Sequence, residues 1–189
     1  MNIVFFDTET SGLPKNYKAS VTDLENWPRL VQIGWITYSQ DYRTDMEHIV
    51  RPNGFSIPES VSQIHGITQE KALRDGSMLQ EVLDHFESNL VSCDLLVGHN
   101  VSFDMNVVGA EFLRTFGTNP LEGKSVYDTM LKGTEFCKLP GKYGKYKWPK
   151  LEELYFALFH ETLAQTHTAL DDIENTAKCY FEMQRLGIE

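Results

Sequence analysis

The chain opens Met-Asn-Ile-Val-Phe-Phe and runs straight into Asp7-Thr8-Glu9. Residues i and i+2 of an extended strand point to the same face, so these two carboxylates project side by side from the end of a buried apolar strand. Carboxylates held that close repel each other unless a cation lies between them, and a divalent metal is the usual solution. The chemistry this suits is metal-dependent hydrolysis. Two further clusters follow: Gly98-His99-Asn100-Val101-Ser102-Phe103-Asp104, and His167-Thr168-Ala169-Leu170-Asp171-Asp172 near the C-terminus. Taken one at a time, each has a plainer role. Asp7 suits a strand end, Glu9 a surface, and Asp104, Asp171 and Asp172 the first turn of a helix, where the dipole favours acids. His167 alone is an ordinary loop histidine.

The elements that must position these groups read as strands first and helices later. Residues 2–7 and 31–39 are strand-like, the second run alternating, and 45–51 is a third that ends at the turn Pro52-Asn53-Gly54. These three predict an antiparallel meander. A polar stretch from Pro58 carries His65-Gly66-Ile67-Thr68. Helical spacing returns over 78–91 and 103–116, separated by a short central strand at 94–98, and Gly117 supplies a stop. Helices are also predicted over 127–136, over 149–159 with Pro149 in the first position, and from about 168 to 186. A meander followed by alternating strands and helices predicts an α/β domain with one mixed sheet flanked by helices, a single domain over 1–189.

At 189 residues, 41% hydrophobic and 23% charged, the composition is that of a globular protein with a sizeable core. Cys93, Cys137 and Cys179 form no CxxC pair, and the N-terminal apolar run is too short for a signal peptide. A cytoplasmic, membrane-free location is expected. The net charge of -10 argues against a protein that coats nucleic acid broadly. It leaves room for an enzyme that grips a few nucleotides through metals and a local basic patch. Lys138, Lys142, Lys145, Lys147 and Lys150 form such a patch, interleaved with Tyr143, Tyr146 and Trp148. It reads either as a solvated Gly-rich loop or as a phosphate-contacting, base-stacking flap.

Asp7-Thr8-Glu9-Thr10-Ser11-Gly12-Leu13, then Gly98-His99-Asn100 with Phe103-Asp104, then His167 with Asp172 five residues on, resemble in that order the DnaQ-like (DEDDh) 3′→5′ exonucleases. This is the family of polymerase proofreading subunits, and the resemblance runs from about residue 2 to 186. Ser11 stands where the family often has Thr. The resemblance implies a ribonuclease H-like fold and hydrolysis of phosphodiester bonds at DNA 3′ ends, single-stranded or frayed, to release 5′-mononucleotides. It also implies two Mg²⁺ or Mn²⁺ ions. Asp7 would bridge both, Glu9 and Asp172 would complete the site of the ion that activates water, and Asp104 would hold the other. Oxygen-only ligands suit Mg²⁺ better than zinc. Asp171 is the fallback for Asp172.

His167 is implied as general base, a role its reference pKa of about 6.5 suits. Positions i and i+5 of a helix point roughly 140° apart, so His167 is expected on the loop before the last helix while Asp172 reaches in from its early turns. Thr10 and Leu13 would line the terminal nucleotide, and His65 and Ile67 would wedge or contact the last base. His99, Asn100 and Phe103 would shape the loop that presents Asp104, and Asp128 is expected to start a helix. The expected partners are nucleic-acid 3′ ends, DNA favoured over RNA, with a polymerase or repair protein as a further candidate. The chain stops three residues after Leu186, which is read as leaving no tether to a polymerase. The rival readings are an RNA-directed exoribonuclease and a catalytically silent nucleic-acid-binding module. The second predicts a gap in the five-residue set, and Asp7, Glu9, Asp104, His167 and Asp172 are all present.

Overall fold

A computed structural model describes residues 1–163 and 169–188. Three antiparallel strands come first: β1 (Ile3–Thr10), β2 (Leu30–Tyr38) and β3 (Arg43–Ile49). Two short helices, α1 (Glu59–His65) and α2 (Gln69–Asp75), occupy the polar stretch that had no predicted helix. Its apolar residues are few, but Gly66 in the left-handed conformation ends α1, and the Thr68 hydroxyl caps α2 by accepting from the Lys71 N–H. Then come α3 (Leu79–Leu90), β4 (Leu95–Gly98), α4 (Val101–Phe116), β5 (Val126–Asp128), α5 (Thr129–Cys137), α6 (Leu151–Phe159) and α7 (Ala169–Leu186).

Two boundaries differ from the sequence reading. Tyr127 and Asp128 end a strand instead of lying inside a helix, because they pair with Val97 and Gly98 of β4, and α5 starts at Thr129 with Asp128 as its cap. Pro149 precedes α6 instead of opening it: the helix begins at Leu151, where the Glu153 side chain reaches back to the Lys150 N–H.

The sheet order is β3-β2-β1-β4-β5, antiparallel on the β2–β3 side of β1 and parallel on the β4–β5 side. The expected mixed sheet opening with a meander is therefore observed. Alternation along β1 sends Val4 and Phe6 to one face, against a core with Trp35, Phe86, Val108 and Phe112. Ile3 and Phe5 go to the other, against Ile173, Ala177 and Tyr180 of α7. Helices α3 and α4 thus cover one face and α7 the other. β1 sits where the connections leave in opposite directions, the position at which open α/β sheets form a crevice beyond the strands' carboxyl ends.

Candidate active site

Continuing the alternation past Phe6 places the site. Asp7 and Glu9 follow Ile3 and Phe5 toward α7, and Thr8 follows Val4 and Phe6 toward α4. Thr8 meets Asp104 in the first turn of α4: one Asp104 oxygen accepts from the Thr8 N–H (3.1 Å) and from its hydroxyl (2.6 Å). Asp104 is buried, and these bonds fix its orientation. From the other face Asp172, in the first turn of α7, acts electrostatically on both Asp7 and Glu9. Asp171 instead lines a separate hollow between α7 and the β2–β3 side of the sheet, with Ile36, Arg43, Asp45 and Glu174. The structure brings Asp172, not the fallback Asp171, to the carboxylates of β1. The pairing of β1 with β2 also slips at this point, the partner jumping from Gln32 opposite Glu9 to Leu30 opposite Thr10. Such an irregularity re-aims side chains at a strand end.

Four acids from three elements therefore share one strand end, and their proton affinities register it. Burial first, then the charges of Asp104, Glu9 and Asp172, hold Asp7 well above the usual carboxylate range. Burial and then Asp172 push Glu9 up to about 7. Burial likewise pushes Asp104 to about 7, against the lowering effect of the Thr8 hydroxyl. Among the described residues, no three acidic, histidine or cysteine side chains are gathered into a group ready to hold a metal ion. The donor set itself fits a hard divalent cation: every candidate ligand is a carboxylate, and no described cation is paired with Asp7, Glu9 or Asp104.

Comparison with known proteins decides the class. The sequence model of an exonuclease family, RNase_T, matches residues 4–180. The chain belongs to the RNase_T exonuclease family. It is a DnaQ-like exonuclease domain, and the family is dependent on divalent metal. DNA polymerase III subunit epsilon of Buchnera aphidicola is 28% identical over 109 residues, 57% of this chain and 43% of that protein. Exonuclease I of E. coli, solved with a dT13 oligonucleotide, shares the fold at a TM-score of 0.73 and 19% identity, over 98% of this chain and 42% of that one. Exonuclease I from Methylocaldum szegediense matches at a TM-score of 0.72 and 21% identity, over 97% of this chain and 40% of its own. The chain spans less than half the length of these relatives.

In this RNase_T domain the Gly-His-Asn segment is a staple. The Pro149 carbonyl can only accept, so His99 Nε2 carries the proton of that 3.0 Å bond. Burial lowers the His99 pKa, and its Nδ1 lies 3.0 Å from the Thr129 hydroxyl, which itself donates to the Gly98 carbonyl at 3.1 Å. His99 thereby ties the exit of β4 to the start of α5 and to the chain entering α6. Asn100 adopts a left-handed conformation (φ 65°), and its N–H donates to Asp128. The same Asp128 oxygen accepts from the Met130 and Leu131 N–H groups and so caps α5. That is the helix-start role expected of it.

The expected nucleotide contacts are less uniform. Leu13 is 73% exposed just beyond β1, whereas Thr10 is buried with its hydroxyl on the Gly12 carbonyl. Ile67 is 1% exposed and packs with Val31, Ile57 and Ala72, so as packed it offers no surface to a base. Only Gly66, in the left-handed conformation that ends α1, separates it from His65. His65 accepts from the Ile67 N–H through Nδ1, and its buried Nε2 has no hydrogen bond, although the Thr10 backbone lies nearby. His167 lies outside the described residues.

Two contributors escaped the sequence reading. Thr8 was passed over as the spacer between two acids. Glu111, fully buried in α4, accepts from Arg29 Nε (2.8 Å) and the Leu30 N–H (3.0 Å) and pairs with Arg114 (3.2 Å). It braces the strand that flanks the site. An acid inside the apolar run Val107-Val108-Gly109-Ala110-Glu111-Phe112 was the available signal.

Proposed function

We propose that this domain is a metal-dependent 3′→5′ exonuclease that removes 5′-mononucleotides from single-stranded or frayed DNA ends. The observation that carries this reading is the meeting of Asp7, Glu9, Asp104 and Asp172 at one strand end, in a family of exonucleases. Asp7, Glu9 and Asp172 would hold one Mg²⁺ or Mn²⁺, and Asp7 with Asp104 a second. When bound, the ions supply a nucleophile at neutral pH and neutralise charge on the attacked phosphate. The chain's own residues do the rest. Thr8 holds Asp104 in register, and the partly exposed edges of Asp7 and Glu9 face the substrate side of the crevice. His167 accepts the proton released from the attacking water, and Asn100, Phe103, Thr10, Leu13 and His65 form the wall around the terminal nucleotide. Substrate contact is supported by exonuclease I, which has been solved bound to dT13 and dA16 oligonucleotides. No described helix is long and apolar enough to cross a membrane, in keeping with a cytoplasmic place of action beside a polymerase or repair partner.

The test is incubation with 5′-labelled single-stranded DNA and matched RNA in Mg²⁺, Mn²⁺, Zn²⁺ or EDTA. Zinc is included because an E. coli exonuclease I complex with single-stranded DNA has been solved in a zinc-bound form. A ladder shortening from the 3′ end only with metal, faster on DNA, is the expected result. Faster cutting of RNA would move the substrate to the other sugar, and cutting of neither would remove the catalytic reading.

A further inference from the structure

Resting on that reading, we propose that Trp148 and Tyr17, together with Phe103, form a stacking subsite for a base of the bound strand upstream of the scissile bond. Lys18 takes a phosphate beside it. A groove of about 540 Å³ runs beside α4, lined by Tyr17, Lys18, Trp27, Asn100, Phe103 and Trp148. Its wall includes Phe103 and Asn100, the neighbours in the chain of the α4 turn that carries Asp104. The Tyr17 and Phe103 ring centroids lie 6.5 Å apart and tilted by 40°, so they leave aromatic surface open instead of closing on each other.

Trp148 is the decisive residue. Of the three tryptophans, Trp27 and Trp35 are buried (4% and 0% exposed), but Trp148 is 64% exposed. A large exposed apolar ring is costly to hydrate, and it persists where something covers it. The fold holds it in place. The Lys147 N–H bonds the Leu139 carbonyl (3.0 Å), Pro140 bridges to Tyr146, and the His99 ring fixes the carbonyl of Pro149. The staple that orders the Asp104 turn therefore also sets the position of Trp148. A nucleobase is the occupant that this chemistry favours. Flat aromatic faces accept any base, and a lysine at the rim matches the phosphate that accompanies it. The lysines beside Trp148 do not supply that charge freely, since Lys147 pairs with Glu153 and Lys150 with Glu152.

The buried state of the other two tryptophans makes fluorescence a direct readout. Titration of the full chain in Mg²⁺ with phosphorothioate oligothymidylate, which resists cleavage, is expected to quench tryptophan emission saturably. In Trp148→Phe most of the quench is expected to be lost, with Trp27 on the groove wall supplying the remainder. In cleavage assays Trp148→Ala is expected to raise KM about tenfold or more on oligonucleotides, and Trp148→Phe, which keeps a stacking face, to stay within about threefold of the parent. Lys18→Ala is expected to flatten the dependence of log KM on log salt by about one. Normal cleavage by Trp148→Ala with unchanged KM, and no quench in the parent, would overturn the subsite and leave the exonuclease reading intact. If the parent cleaves nothing under any metal, the proposed function falls, and the subsite is then decided by the quench alone.

Discussion

Thermal stability with and without metal, at two pH values, tests the carboxylate cluster without any substrate. Glu9 titrates at about 7 in the folded protein and near the ordinary 4.5 when unfolded. Asp104 is likewise raised to about 7, and burial first, then its acidic neighbours, hold Asp7 well above the usual carboxylate range. For an acid with a raised folded pKa, the folded state holds protons that the unfolded chain has released. Its contribution is therefore favourable below the unfolded value and is lost as pH rises through about 7. At pH 8 the ionised Glu9 alone costs about 3 kcal/mol. In a domain of this size that corresponds to roughly 6 to 12 °C in Tm.

A divalent cation bound only by the folded state reverses the loss. Millimolar Mg²⁺ or Mn²⁺ is thus expected to raise Tm strongly at pH 8 and weakly at pH 5, where protons occupy the carboxylates. The half-buried histidines His48 and His99, both lowered in pKa, contribute with the opposite sign. The difference between metal and EDTA at each pH is therefore the informative quantity. Asp7→Asn removes one of the mutually repelling charges and is expected to raise the metal-free Tm at pH 8 while abolishing the metal response and activity. Equal metal shifts at both pH values, or a metal response that survives in Asp7→Asn, would refute the cation site.

Asp172→Asn is expected to abolish metal-dependent cleavage and Asp171→Asn to leave it within a few-fold, because only Asp172 acts on Asp7 and Glu9; the pair is compared by initial rates. Thr8→Val deletes the 2.6 Å bond to Asp104 but keeps the backbone one, so the Asp104 pKa rises and the acid limb of the kcat profile moves to higher pH. His167→Ala is expected to lower kcat about 10²- to 10⁴-fold with nucleotide binding largely kept, and normal turnover from pH 6 to 9 would exclude it as the base. Glu111→Ala leaves two arginine contacts and the Leu30 N–H without their acceptor, at a cost of about 3 kcal/mol or more, read as a fall in Tm.

The parts of the fold that were legible in the sequence are those governed by local pattern. Alternation located β1 and β2, and the 3.6-residue repeat located α3, α4 and α7. The misses have non-local causes. Tyr127 and Asp128 are strand residues only because β4 lies alongside, and Ile67 is core only because Ile57 and Ala72 close over it. In the site, the acids were visible through the order and spacing of their motifs along the chain. Their fixtures were not: a threonine hydroxyl on Asp104 and a histidine pinning a proline carbonyl fifty residues away cannot be distinguished by type from other threonines and histidines.

The alternation of β1 also explains why this cluster requires this sheet. Asp7 and Glu9 belong to the α7 face and Thr8 to the α4 face, so no single helix can reach all of them. Asp104 and Asp172 must come from opposite sides, and they can meet only where the strand runs out and the sheet no longer separates its two faces. That places the cluster at the end of β1, beside the irregular Glu9–Thr10 pairing, and nowhere along its length. A one-residue slip of β1 would exchange its faces, sending Thr8 to Asp172 and the two acids into the apolar core of α3 and α4. The apolar run from Ile3 to Phe6 forbids that slip, because Phe5 is held by Tyr38, Tyr180 and Phe181 on one face and Phe6 by Phe86 on the other. The core of this domain is therefore part of the site's geometry: burial of Phe5 and Phe6 sets the register that brings four mutually repelling acids together.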